Sequence, residues 1–275
     1  MHDPLSDLTA HGVCQGRTLE TVLDLAGRQH LLDEADAETR ARRIYSELTA
    51  PLPPDPERSV VALIGDYPHN PAYIRQSLEP VFAGAGVNAA FVYDVQQFGP
   101  ECLTGAKVLV VLRDGMLWPE PGGEPVWWMT DEQERAIADY VANGGGLLAL
   151  HNSTALRKID DSPCLYRDVL GASYSGHGAS DERFDVRVIE HDHPITAGVA
   201  DYPAIDERHW PIVHVDDAVI LLRAYSGGEQ SINAFVRGYG RGRVCYLANG
   251  HTPEMLTCDS MRRLIANALH WCAGH

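Results

Sequence analysis

Four short apolar runs constrain this chain more than any other feature. VVALIG at 60–65 and KVLVVL at 107–112 are apolar on both faces, and LLAL at 147–150 repeats the pattern. A fourth run, AAFVYD, ends at Asp94. A strand with water on one side alternates apolar and polar residues; one covered on both sides does not, and covered strands are characteristic of parallel sheets. Helical spacing lies between the runs. Ile74, Leu78, Val81, Phe82 and Ala85 mark one helix face, and Ile137, Tyr140 and Val141 mark another. Thr130 and Gln133 make a capping box for the second helix, and Gly144, Gly145 and Gly146 end it. Three successive strand-to-helix crossovers specify a mainly parallel sheet with helices on both faces.

After residue 170 the strands FDVRVIE, AVILLRAY, INAFVRGY and RVCYLANG follow closely, which predicts antiparallel pairs extending that sheet. Met261, Leu264, Ile265, Ala268 and Cys272 give a closing helix. Residues 58–275 therefore read as one α/β domain. Residues 1–57 read differently. Leu19, Val22, Leu23 and Ala26, then Ala37, Ala41, Ile44 and Leu48, predict two amphipathic helices, and the proline-rich PLPPDPERS stops them. This N-terminal helical extension needs a surface to cover, either the main domain or a second subunit, so a homo-oligomer is one expectation.

Charge narrows the partners. Among 275 residues, 22 Lys and Arg stand against 38 Asp and Glu, a formal charge of −16. Nucleic acid and anionic membranes both select basic surfaces, so neither is an expected partner. No run reaches the ~20 apolar residues of a membrane helix. The first residues have no basic start and no apolar core of a signal peptide, and the six cysteines form no C-x-x-C. A cytoplasmic protein with reduced thiols is the expectation.

Ligands of open α/β sheets bind beyond the carboxyl ends of the strands. Here those ends carry Asp66 and His69, Asp94, Arg113 and Asp114, His151 and Asn152, then Asn249 and His251. Away from these ends, His177 lies in the Gly- and Ser-rich SYSGHGAS, read as a loop. Asp206 and Glu207 adjoin His209 and Trp210 in IDERHW. Imidazoles with a carboxylate suit either proton transfer near neutrality or a divalent metal such as zinc. Each has a plainer alternative: a strand-end histidine can bond a carbonyl, adjacent acids can be solvated, and His193 before Pro194 can shape a turn. Trp127 and Trp128 could cover a sugar face or anchor a loop. The three glycines at 144–146 follow a helix and precede a strand, the reverse of a phosphate loop. There is no G-x-S-x-G elbow, and Ser153 lacks its glycines.

The ordered series GGGLLALHNS, YRDVLGASYSGH, HDHPITAGV, IDERHW and YGRGRVCYLANGHTPE, followed by a helix ending ALHWCAG, resembles the ThuA-like (trehalose utilisation) family from about Val60 onward. The resemblance implies a flavodoxin-like fold related to class I glutamine amidotransferases and a role in carbohydrate metabolism near 3-keto sugars. Its motif histidines fall on His151, His177, His193 and His251, and its acidic pair on Asp206 and Glu207. His151 stands where amidotransferases carry a cysteine nucleophile, so glutaminase activity is not expected. His209 and Trp210 replace the tyrosine that usually follows the acidic pair.

The leading expectation is an enzyme acting on a sugar or 3-keto-glycoside as isomerase, lyase or hydrolase. Glu207 or His151 serves as base, and His177 and His251 polarise an oxygen, directly or through a metal held by His151, His177 and His251. Asp66, Arg113, Asn152, Asp206 and Trp210 are the expected substrate contacts. The alternatives are a metal-dependent amide or ester hydrolase and a non-catalytic sugar-binding protein on a fold that lacks the nucleophile.

Overall fold

The computed structural model describes residues 3–53, 55–157 and 163–274. The main sheet has nine strands. In chain order the first eight of these are β1 (Val60–Ile64), β2 (Ala89–Val92), β3 (Val108–Leu112), β6 (Gly146–Leu150), β8 (Glu182–Val188), β9 (Tyr202–Asp206), β11 (Val219–Ser226) and β12 (Glu229–Tyr239). The ninth is β13 (Gly242–Leu247). Two small ribbons complete the β structure: β4 (Met116–Leu117) with β5 (Val126–Trp127), and β7 (Ala172–His177) with β10 (His209–Val213).

The sheet order is β2-β1-β3-β6-β13-β12-β11-β8-β9. The first five strands pair in parallel. The remaining pairs are antiparallel. The sheet is therefore mixed, half parallel rather than mainly so: beyond β13 in the sheet order the strands pair antiparallel, as the close spacing after residue 170 predicts, and β8–β9, β11–β12 and β12–β13 join without a crossover helix.

Strand alternation divides the core. Val60, Ala62 and Ile64 face α4 (Pro71–Gly84) and α8 (Asp259–Cys272), where Ile74, Leu78, Leu264 and Ile265 meet them. Val61 and Leu63 face the other layer, with Ile137 and Val141 of α5 (Asp131–Ala142) and Val169 of α6 (Leu165–Leu170). The short α7 (Pro253–Thr257) follows β13. Among the described residues, no helix is long and apolar enough to cross a membrane.

The N-terminal residues form three helices outside the sheet: α1 (Pro4–Cys14), α2 (Leu19–Arg28) and α3 (Ala37–Leu48). The periodicity predicted the second and third. Helix α1 was missed; Asp3 caps it and Pro4 opens it. It lies on the main domain, with Ala10, Val13 and Cys14 in the same core as β1. The Cys14 thiol donates to the Ile64 carbonyl, and the Cys14 carbonyl accepts from Arg113.

Candidate functional site

Strands β1, β6 and β13 end together, and each delivers a histidine. After β1 the chain turns tightly: Gly65 takes φ 85°, and an added Cβ would come within 2.7 Å of Cys14 Sγ. Asp66 then folds back on His69, accepting from its backbone N–H at 3.0 Å and from Nδ1 at 2.6 Å. The other Asp66 oxygen accepts from the Asp114 N–H and from Asn152 Nδ2 at 2.7 Å. This carboxylate is fully buried with both oxygens taken. Burial raises its pKa, but the His69 charge and these donors outweigh it and hold the group well below the usual range.

His151 leaves β6 with φ 51°, a conformation few non-glycine residues adopt. Its side chain is fully buried. Nδ1 donates to the Ala248 carbonyl at 3.0 Å, and Nε2 has no hydrogen-bond partner among the described residues. His251 follows β13, where Asp206 shapes the loop. The buried Asp206 carboxylate accepts from the backbone N–H groups of Gly250, His251 and Thr252 at 2.8, 3.0 and 3.2 Å, and from Asn249 Nδ2.

The adjacent acid does different work. Asp206 ends β9 and Glu207 begins the turn into β10, so their side chains diverge. Glu207 Oε2 lies 3.0 Å from His209 Nε2, 3.5 Å from His151 Nε2 and 3.8 Å from His251 Nδ1. Its Oε1 lies 3.2 Å from His177 Nδ1. His177 and His209 are directly paired across the β7–β10 ribbon. The Gly- and Ser-rich segment is thus a strand rather than the expected loop; Gly176 is required because Trp210 lies where a Cβ would go. Burial raises the Glu207 pKa, but His151 and His209 pull it far below the carboxylate range. Burial and the neighbouring imidazoles push His209 down to about 3 and His251 to about 4.

His151, His177, Glu207 and His251 are therefore brought together. His193 is not: it caps a turn by accepting from the Ile195 N–H and rests on Trp271. Four of the five expected substrate contacts, Asp66, Arg113, Asn152 and Asp206, are buried. Asp66 and Asp206 have both oxygens bonded within the protein. Arg113 is fully buried beneath Trp128, with its guanidinium on the Asp114 and Cys14 carbonyls. Trp210 alternates away from His209, half-exposed beside Arg208. Asn152 is buried and positions Asp66 and His69. Trp128 anchors its loop, donating from Nε1 to the Asp114 carbonyl.

Sequence reasoning missed His69 and His209 as members of the cluster. A signal for His69 was present: Asp-x-x-His directly after a buried strand lets a tight turn set a carboxylate on the imidazole. His69 Nε2 lies 2.9 Å from His251 Nδ1. Among the described residues His69, His151, Glu207 and His251 each offer a ligand atom, all within 4.8 Å of one another. The more open grooves lie elsewhere: one of about 850 Å3 between α1, α3 and α4, another of about 660 Å3 beside Leu52, Phe98 and Trp128.

A family model described as ThuA, trehalose utilisation, matches residues 61–272. No curated protein matches the sequence significantly. Among solved structures, a ThuA-like protein from Bacteroides uniformis aligns with TM-score 0.61 at 18% identity, covering 82% of this chain and 94% of its own. A cytoplasmic protein from Salmonella typhimurium aligns at 0.57 and 14% identity, covering 78% and 98%. A β-galactosidase from Rahnella sp. R3 aligns at 0.53 and 14% identity, covering 86% of this chain and 35% of its own. At these identities the likeness is one of fold.

Proposed function

The chain belongs to the ThuA (trehalose utilisation) family, and on that premise we propose that it is an enzyme of carbohydrate metabolism acting on a 3-keto-glycoside by proton transfer. The observation that carries this reading is the convergence of four imidazoles on one carboxylate, Glu207, at the carboxyl ends of the strands. The parallel order β2-β1-β3-β6-β13 is also that of flavodoxin-like sheets, in which ligands sit at such strand ends.

The roles proposed here follow the geometry and differ from those expected from the sequence. Glu207, held ionised far below its ordinary pKa, is a weak base. His151 is enclosed. His177 is 44% exposed, and its Nδ1 donates to the Gly178 carbonyl at 2.8 Å and faces Glu207. That leaves the Nε2 lone pair free to accept a proton. A ketone at C3 of a sugar acidifies the hydrogen on C2. His177 would take that proton, and N–H donors or a cation held at the His69, His151 and His251 cluster would meet the developing enediolate oxygen. When the enediolate collapses, the C1–O bond breaks, and the departing alkoxide takes the proton back from His177. Metal assistance at the same cluster belongs to this proposal.

The test is to incubate the protein with a 3-keto disaccharide in D2O and follow the C2 hydrogen and free aglycone by NMR. Wild type should exchange or eliminate, and His177→Gln should lose about 10²-fold or more. Saturable binding of the sugar with neither exchange nor release would instead leave a non-catalytic sugar-binding protein.

A further inference from the structure

We infer that His69, His151, Glu207 and His251 form a mononuclear site for a divalent transition metal, with His69 in the place that the sequence assigned to His177. The inference deepens the reading above and rests on the same site, but its warrant is geometric and needs no sugar.

Three observations point to a cation. The first concerns lone pairs. His151 Nδ1 faces a carbonyl and His69 Nδ1 faces a carboxylate, so both must carry hydrogen. In a neutral His151 ring this leaves a bare lone pair on Nε2, buried without a hydrogen-bond partner among the described residues and 3.5 Å from an anionic oxygen. His69 Nε2 and His251 Nδ1 meet at 2.9 Å, where one hydrogen or one cation can lie between them. A buried lone pair facing a carboxylate with no donor between them is unfavourable unless positive charge sits there.

The second is size. Ligand bonds of ~2.1 Å in a tetrahedron place neighbouring ligand atoms ~3.4 Å apart. Here three of the separations are 2.9, 3.5 and 3.8 Å, and none among the four atoms exceeds 4.8 Å.

The third is orientation. Metal-binding imidazoles commonly donate their other N–H to a carboxylate or carbonyl, which fixes the ring and raises its basicity. Asp66 does this for His69 and Ala248 for His151, while Asn152 fixes Asp66 in turn. His251 is set instead through its backbone, by Asp206. Three nitrogens and one oxygen suit zinc and its first-row neighbours better than magnesium or calcium, which prefer all-oxygen sites. His177 and His209 contact the ligand Glu207 without joining the set.

Full-length protein stripped with chelator and dialysed would be titrated with Zn2+ by calorimetry, and Co2+ loading would be followed by visible absorption. The expectation is one equivalent and an intense tetrahedral cobalt band. His69→Ala and His151→Gln should each weaken Zn2+ at least 100-fold. Asp66→Asn should weaken it ~10–100-fold, and His177→Gln should leave it within about threefold. Circular dichroism and melting of each metal-free variant separate ligand loss from misfolding, and the wild-type stoichiometry needs no variant. No binding by folded wild type overturns the inference, as does binding that survives His69→Ala but not His177→Gln. Because zinc is measured without substrate, sugar turnover by a folded protein that binds no metal would sink this inference alone. Zinc binding without any turnover would sink only the sugar reading.

Discussion

Replacing Asp206 by alanine separates a residue that builds the site from one that touches substrate. The carboxylate is buried and accepts from three consecutive backbone N–H groups and one amide side chain. Removing it strands those donors. A buried donor left unpaired costs ~1–3 kcal/mol. The Gly250 N–H is buried and should cost near the top of that range, whereas His251 and Thr252 are half-buried and partly recover water. The sum is ~3–5 kcal/mol. At ~2–4 °C per kcal/mol for a chain of this size, Tm should fall by roughly 6–20 °C. Differential scanning calorimetry reads this directly, and hydrogen exchange adds a local signature: the amides of residues 250–252 should lose protection before the β13 amides. Asp206→Asn keeps one acceptor but turns an NH2 toward the donors, so it should fall between wild type and alanine. A substrate contact would behave in the opposite way, with Tm unmoved and only ligand affinity lost. A Tm within 2 °C of wild type for Asp206→Ala would refute the positioning role.

Acid should weaken the metal-free protein below about pH 6.5. His209 and His251 are depressed to about 3 and 4, so the unfolded chain binds protons there that the folded chain refuses. His69, lowered by burial but raised further by Asp66, and Asp114, raised to about 8 by burial and the Asp66 charge, each oppose with one proton; the His69 contribution is fully present below 6.5, so there Asp114 offsets only one of the two depressed imidazoles. Urea midpoints should thus decline from about pH 6 to 5, less steeply in His209→Gln, and a flat profile over that window would contradict this. Gly65→Ala forces a side chain into φ 85° against Cys14 and Pro71, so it should cost ~2 kcal/mol or more and displace His69; unchanged stability and zinc affinity would count against the β1 turn as the device that sets His69. Glutamine should release no ammonia, because His151 occupies the strand-end turn that a thiolate nucleophile would need; release that disappears in His151→Ala would show otherwise.

What was legible in the sequence follows from the physics of each signal. Buried strands announce themselves because both faces must be apolar, and the ends of β1, β6 and β13 were readable where those runs turned polar. That placed His151 and His251. It could not say which polar groups at a strand end face a ligand and which are consumed by the turn. Asp66, Asp206 and Arg113 all looked like ligand contacts; both carboxylates have every oxygen bonded within the protein, and Arg113 bonds two backbone carbonyls. The β7–β10 ribbon was illegible for another reason. Its glycine and serines suit a strand only because Trp210 covers Gly176 and Ser175 bonds the Trp210 carbonyl, which are contacts from 35 residues away.

The two buried aspartates solve one problem in the same way. A histidine on a loop is a poor ligand or catalyst unless the loop is held, because every degree of freedom left to it must be lost when it acts. Asp66 gathers the turn after β1, and Asp206 gathers the turn after β13. Glu207, one residue on, is then met by imidazoles whose positions are already fixed. The turn after β1 has a second restraint that lies before residue 61, where the family match begins. His11 of α1 reaches the Asp66 and Tyr67 carbonyls at 3.0 and 3.1 Å, and Cys14 holds the Ile64 carbonyl. The Trp118 N–H donates to the Gln15 carbonyl, and Trp118 lies against Tyr67 with ring centroids 4.9 Å apart. The helical extension therefore grips the turn that carries His69, directly and through the Trp118 contact with Tyr67, so this part of the site is set in part by a segment outside the residues that the family model matches.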